Sequence, residues 1–553
     1  MRHRTALLSL CLALASLTGL SGCQSSNRDA GLYNLSDFHR TIDTESADAQ
    51  RWFDRGLTYT FGFNHGEAIH CYEQAAQADP SAAMAHWGVA YALGPHINNP
   101  AIDEDASRRA WESLQRAQAA PHKSEMEAAL INALAARYEW PAPEDRFPLD
   151  QAYARAMRPV YENYGDDPDI AALYAESLMI LRPWAFWSPD GVMAPETPEI
   201  MGVLERALAD DPYHPALCHF YIHTMEASPM PEKALACADN LRNNFPSAGH
   251  LVHMPSHIDI RLGRYHEAIV ANEKAIIADD NFAKQRGAMN FYTLYRVHAY
   301  HFLVYAAMFD GQYDAAITHA RRAIAMLPPD LLVAYRDFLD PFVPMPLHVL
   351  IRFGKWEEIL AEPRPEGDLP AALATWHYAR GVAYAATNRV AEAEREQQHF
   401  REARTRVPAT SMLFQNSADS ILGVAELMLE GEIQYRKGNH AQAFAALRNA
   451  VDADIALNYD EPWGWMQPAA HALGALLLEQ GGASNINEAV AVYEADLQRH
   501  PNNLWALHGL AEAYRRSGRI ADAQNLERKY QLASTRADVP VAASCFCRTQ
   551  TTN

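Results

Sequence analysis

Between residues 49 and 82, Trp52, Gly56, Tyr59, Ala68, Tyr72, Ala75 and Pro80 stand at positions 4, 8, 11, 20, 24, 27 and 32 of a 34-residue unit. That order is the signature of two antiparallel helices. Small residues at 8 and 20 let the helices approach, large ones at 4, 11 and 24 fill the gaps, and proline at 32 stops the second helix. The unit recurs. GRYHEAIVANEKA sets Gly263, Tyr265, Ala268 and Ala275 at positions 15, 17, 20 and 27, and GQYDAAITHARRA repeats it with Gly311, Tyr313 and Ala316. GKWEEI, GNHAQA and GRIADA follow, and NEAVAVYEADLQRHP sets Ala489, Tyr493 and Pro501 at 20, 24 and 32. A helical pair cannot bury its apolar face alone, so such units stack, and the chain must be all-α.

This pattern resembles the tetratricopeptide repeat (TPR). The resemblance implies a right-handed solenoid of roughly eight to ten helical pairs with a concave face. The solenoid is expected over residues 46–535, with a polar tether before it (23–45) and an irregular tail after it (536–553). Segments rich in proline and aromatics interrupt the period at 94–106, 182–199, 281–294 and 455–468. Loops of that composition can cover a binding face.

The N-terminus reads as a targeting segment. MRHRT is basic, ALLSLCLALASLTGL is apolar but short for a membrane span, and Leu20-Ser21-Gly22-Cys23 closes it. Those four residues resemble the lipobox of bacterial lipoproteins. The resemblance implies a signal peptide at 1–22, cleavage before Cys23, diacylation of its sulfur and so a membrane anchor. By the same analogy, Gln24 favours the outer membrane, facing the periplasm or the cell surface. The formal net charge of −21 excludes nucleic acid as a natural partner, since neutralising phosphates needs lysine and arginine.

The histidines follow the repeat. His219 and His253 both occupy position 5, and His223 and His257 both occupy position 9, each pair 34 residues apart. In the next copy His301 takes position 5 and His298 position 2, the position His250 holds one repeat earlier. His348 returns at position 9 within MPLH, which mirrors MPSH at 254–257. Positions 2, 5, 9 and 12 form one stripe on the first helix of each pair. In TPR proteins that stripe lines the concave groove. Imidazoles at i and i+4 can share one metal ion, and neighbouring helices at 8–10 Å can add ligands to it. His219, His223, His253 and His257 could make a four-nitrogen site, with His250, His298 and His301 completing it or forming a second. The spacing HFYIH is not that of a zincin, because Phe220 stands where the general-base Glu would be. Glu226, at position 12, is the candidate acid/base or ligand.

Near the C-terminus, Cys545 and Cys547 could chelate a soft metal if the tail folds over the groove, or pair as a disulfide. Imidazole suits copper and zinc, with iron also in range. Beyond the repeat itself, HWGVAYALGPHINNP, HFYIHTMEAS, GHLVHMPSHIDIRLGRY and SCFC resemble blocks shared by a family of bacterial exported TPR proteins. That resemblance implies the fold and marks the histidine blocks as a hallmark, without implying an activity.

Three functions fit the sequence. One is a metalloprotein, with open coordination positions serving a metal-dependent oxidoreductase or hydrolase and Trp184, Trp187, Trp463 and Trp465 as walls or lids. The second is a scaffold whose groove holds a peptide or an envelope protein. The third is a metal store that hands ions to the cysteine pair.

Overall fold

The computed structural model describes residues 31–548. They form a helical solenoid in which each helix packs chiefly on its sequence neighbours, from Ala47–Phe61 to Ile520–Ala533, with one two-stranded ribbon at Met412–Leu413 and Asn416–Ser417. The small residues act as the pattern requires. The Tyr72 ring lies where a Cβ on Gly56 or Gly88 would come within 2.7 and 2.4 Å of it. Tyr493 is seated in the same way between Gly474 and Gly509, at 2.3 and 2.4 Å. Any larger residue at these glycines would force the helices apart.

Position 15 turns the chain between the two helices of a pair in the left-handed region. Gly263, Gly311, Gly354, Gly438 and Gly518 all have φ between 65° and 84° there, where a residue without Cβ carries no steric penalty. Two copies make the same left-handed turn without glycine: Asn388 (φ 59°) and Phe63 (φ 54°). Asn tolerates the conformation, whereas a phenylalanine in it is strained, a cost of order 1–3 kcal/mol.

The interrupting segments run mostly without helix at 182–196 and 456–468, and the Tyr265 helix continues to Arg286 before the chain turns. Residues 31–45 are not a tether. Leu32, Leu35 and Ile42 are buried, Tyr33 donates to Glu67, and Arg40 forms ion pairs with Asp167 and Asp169. Apolar side chains in a segment that reads as polar overall account for the difference: they bury against the first helices. The tail to residue 548 is irregular but docked. Asp538 accepts from the backbone N–H groups of Tyr313 and Asp314, Phe546 packs on Trp505, and Arg548 pairs with Glu512. The expected signal peptide and Cys23 lie outside the described residues. No helix among the described residues is long and apolar enough to cross a membrane.

Candidate metal centre

Three consecutive repeats bring their first helices side by side: Pro215–Met225, then Gly249–His253 continuing into Pro255–Arg261, then Thr293–Phe309. The middle one is divided at Pro255, which has no N–H to donate, but Met254 keeps helical angles and the turn carries on. The histidines that the register placed on one stripe therefore meet. They sit where the apolar core of the N-terminal half joins that of the C-terminal half. None is more than 7% exposed, so the groove is closed over them.

The grouping differs from a four-nitrogen site. The ligand atoms converge as His219, His223 and His250 in one triad and His253, His257 and His298 in another, while His223 and His257 also converge with Glu226 and Glu461 on their other side. Position 2 completes each triad because its side chain comes from the adjoining turn or helix. His301 belongs to neither. It lies against Phe342 and Phe414, in a small cavity it shares with His348. Cys545 and Cys547 are bonded to each other, beside the core of the last repeats, and neither belongs to a candidate ligand group among the described residues. The thiolate role expected for them is thus corrected: two cysteines two residues apart on a docked strap pair locally, and the strap is held by Arg352, Tyr493 and Glu512, away from the triads.

The outward nitrogen of four of these imidazoles is committed as a donor. His219 Nδ1 faces the Phe61 carbonyl oxygen at 2.6 Å. His223 Nδ1 and His257 Nδ1 face the two oxygens of Glu226 at 2.7 and 2.6 Å. His253 Nδ1 faces Asn272 Oδ1 at 2.6 Å, and the amide is oriented by its own donation from Nδ2 to the Ala268 carbonyl. A carbonyl, a carboxylate and an amide oxygen can only accept, so each Nδ1 carries the proton in the neutral ring and each Nε2 presents a lone pair. The lone pairs of His253 and His257 point at each other, and that of His219 points at Nε2 of His250. His253 Nε2 and His257 Nε2 are 2.8 Å apart, His250 Nε2 and His219 Nε2 are 3.2 Å apart, and His223 Nε2 is buried with no partner. Two bare lone pairs at 2.8 Å repel, so a cation belongs between them: a proton or a metal.

Titration follows the same geometry. Burial, helped by neighbouring imidazoles, holds His219, His250, His253 and His298 well below the usual histidine range, and burial lowers His223. His257 is the exception. Burial disfavours its charge, but Glu226 and Glu461 outweigh that and lift it to about 10. Without a metal, the His257 proton fills the 2.8 Å gap to His253.

Glu226 thus occupies the site as the outer partner of one histidine from each triad, with Tyr459 donating to it at 3.2 Å. Metal-bound histidines commonly donate their second N–H to a carboxylate or carbonyl in this way. Glu461 is the residue the periodicity missed. It arrives from the 455–468 insertion, lies 3.6–3.9 Å from His223, His257 and His298, and is pushed up by burial and by Glu226. Phe63 was missed too. Its ring lies 4.4 Å from that of His219 and stacks on His223 and His250, so the strained residue at a glycine position covers the first triad. A phenylalanine where the repeat expects glycine was the available signal. Of the tryptophans, Trp184 meets His223 edge-on at 4.9 Å, while Trp187 donates to Thr224 and Trp463 stacks on Tyr305. Trp465 lies against His348.

Residues 49–81 and 477–528 each match the profile of a family described as tetratricopeptide repeat. Among solved structures, the chain is similar to human IFIT1 as a dimer with m7Gppp-AAAA (13% identity, 89% of this chain and 92% of that one, TM-score 0.33). It is also similar to a Rap protein complexed with competence and sporulation factor (12%, 82% and 98%, 0.33) and to yeast Tom70 (13%, 89% and 91%, 0.27). No curated protein matches the sequence.

Proposed function

We propose that this TPR solenoid is a metalloprotein holding two transition-metal ions, one on His219, His223 and His250 and one on His253, His257 and His298, for chemistry on a small molecule. The observation that carries the reading is the set of Nε2 lone pairs turned inward by acceptors on every Nδ1 that has been fixed. A packed structural histidine needs only one satisfied nitrogen, and here the second nitrogens of His219, His223, His253 and His257 are all turned inward on neighbouring helices. Three imidazoles per ion leave a coordination position open, the pattern of catalytic and not of closed structural sites. All-nitrogen donors suit copper or zinc, with iron also in range. Zinc would supply a bound water for hydrolysis, and copper or iron would supply oxidation.

A peptide scaffold recognises its partner with exposed groove residues, whereas these imidazoles are buried beneath Phe63, Trp184 and the 455–468 insertion. A store handing ions to thiolates lacks free ones at the tail. The lipobox-like sequence supports a place in the bacterial envelope, with Cys23 as the lipidated anchor.

The test is metal content by mass spectrometry on the chain from residue 24, purified without affinity-tag histidines. It is compared with a variant in which His219, His223, His253 and His257 are all changed to Ala. Two ions per chain in the parent and none in a variant that keeps its helical circular dichroism support the proposal. A parent that stays metal-free after incubation with copper and with zinc overturns it. For the anchor, Cys23→Ala should move the protein from the membrane to the soluble fraction.

A further inference from the structure

A cavity of about 410 Å³ lies directly against the second triad, with His298 and Glu461 in its lining. That size suits a small molecule. Its walls are mainly aromatic: Trp184, Tyr295, Phe338, Phe414 and Tyr459 surround it, and Tyr335, 37% exposed, marks the side open to solvent. Flat rings on several sides favour a flat, apolar guest, which can stack or meet them edge-on.

The polar atoms in the lining narrow the guest further. Glu461 Oε1 and Asn98 Oδ1 are buried there and have no hydrogen-bond partner within 3.5 Å. His223 Nδ1 lies 3.7 Å from Glu461 Oε1 and already donates to Glu226 at 2.7 Å. Buried polar groups are nearly always paired, and those left unpaired in a cavity point to something that visits it. Both orphans are oxygens that accept. The missing partner must therefore donate. The Tyr295 hydroxyl, also buried, can serve either way.

We infer that this cavity binds a small aromatic molecule carrying hydrogen-bond donors on adjacent ring positions, of the ortho-diphenol or aminophenol class, with its donors toward Glu461 and Asn98. This rests on the metal reading for its chemistry but not for its binding. The ring enters past Tyr335 and is held between Trp184 and Phe414. The donor nearest Glu461 then lies beside His298, at the edge of the second triad.

The experiment is calorimetric titration of the full chain from residue 24 with catechol and with 1,2-dimethoxybenzene, which has the same ring and no donors. It is run metal-free and after copper or zinc loading. Catechol should bind at least about 10-fold more tightly than the dimethyl ether in both forms, the order expected for two hydrogen bonds to buried acceptors. Leu294→Trp, which fills the cavity from a wall residue outside the triads, should abolish catechol binding and leave metal content unchanged. Asn98→Leu, a milder change, should shrink the preference for catechol by several fold. Equal binding of the two ligands, or catechol binding untouched by both substitutions, overturns the inference even if two metal ions are found. Selective catechol binding to a chain that holds no metal keeps the inference and removes only the metal reading.

Discussion

Glu226→Gln is the most informative single change. The carboxylate accepts from His223 Nδ1 at 2.7 Å and from His257 Nδ1 at 2.6 Å, so one side chain sets the tautomer of one ligand in each triad. A glutamine has nearly the same shape but only one accepting oxygen. Its NH₂ must face the other imidazole, whose Nδ1 then has to accept, moving the proton to Nε2 and into the metal position. One triad loses a ligand and the other keeps its geometry. Loss of such an outer partner costs 10–100-fold in metal affinity, or about 1.4–2.7 kcal/mol. The triad that suffers the tautomer switch should fall further, because it retains two nitrogens of three. Under titration with a chelating competitor, the variant should hold one ion tightly and release the second at far lower competitor concentration, while the parent releases two together. If the variant binds two ions with parent affinity, Glu226 does not orient the histidines and the lone-pair reasoning fails.

Loading metal at pH 7 should release about one proton per chain, from His257, whose pKa near 10 keeps it charged until an ion replaces its proton; titration in buffers of different ionisation enthalpy measures the number. Because that pKa is raised above the usual 6.5 or so, its contribution to the metal-free fold is complete below that pH and fades toward pH 10, so alkaline pH should lower the Tm of metal-free protein more than that of loaded protein. Asp496 sits between His471 and His500 at 2.8 and 2.9 Å; burial opposes its charge, but the two imidazoles outweigh it and hold the carboxyl far below the usual range. Its stabilisation is present above about pH 4 and is lost only in strong acid, and Asp496→Asn should destabilise by about 3 kcal/mol at pH 7 in chemical denaturation. Phe63→Gly relieves the left-handed strain of 1–3 kcal/mol but uncovers the first triad; metal should exchange faster from that triad in a chelator assay, with stability falling by less than the 3–5 kcal/mol usual for losing a buried phenylalanine.

The periodicity carried the fold, because spacing alone decides which residues share a helical face. Tyr72 and Tyr493 fill their glycine-lined clefts, and the position-15 glycines turn left-handed, as local sequence dictates. The same rule placed His219, His223, His253 and His257 on one stripe and brought Glu226 to them. Pairing into triads was beyond it. Whether His250 or His301 completes a set depends on how far each helix rotates against its neighbour, and that rotation is set by packing across the whole layer. Residues from the insertions carry no period at all. Glu461 reaches the histidines from more than 160 positions downstream because its loop folds back over three helices. Leu32 and Cys547 are buried because the segments flanking the solenoid dock on it, which composition alone could not show. A regular pattern fixes what lies on a face, and only the folded chain decides what closes over it.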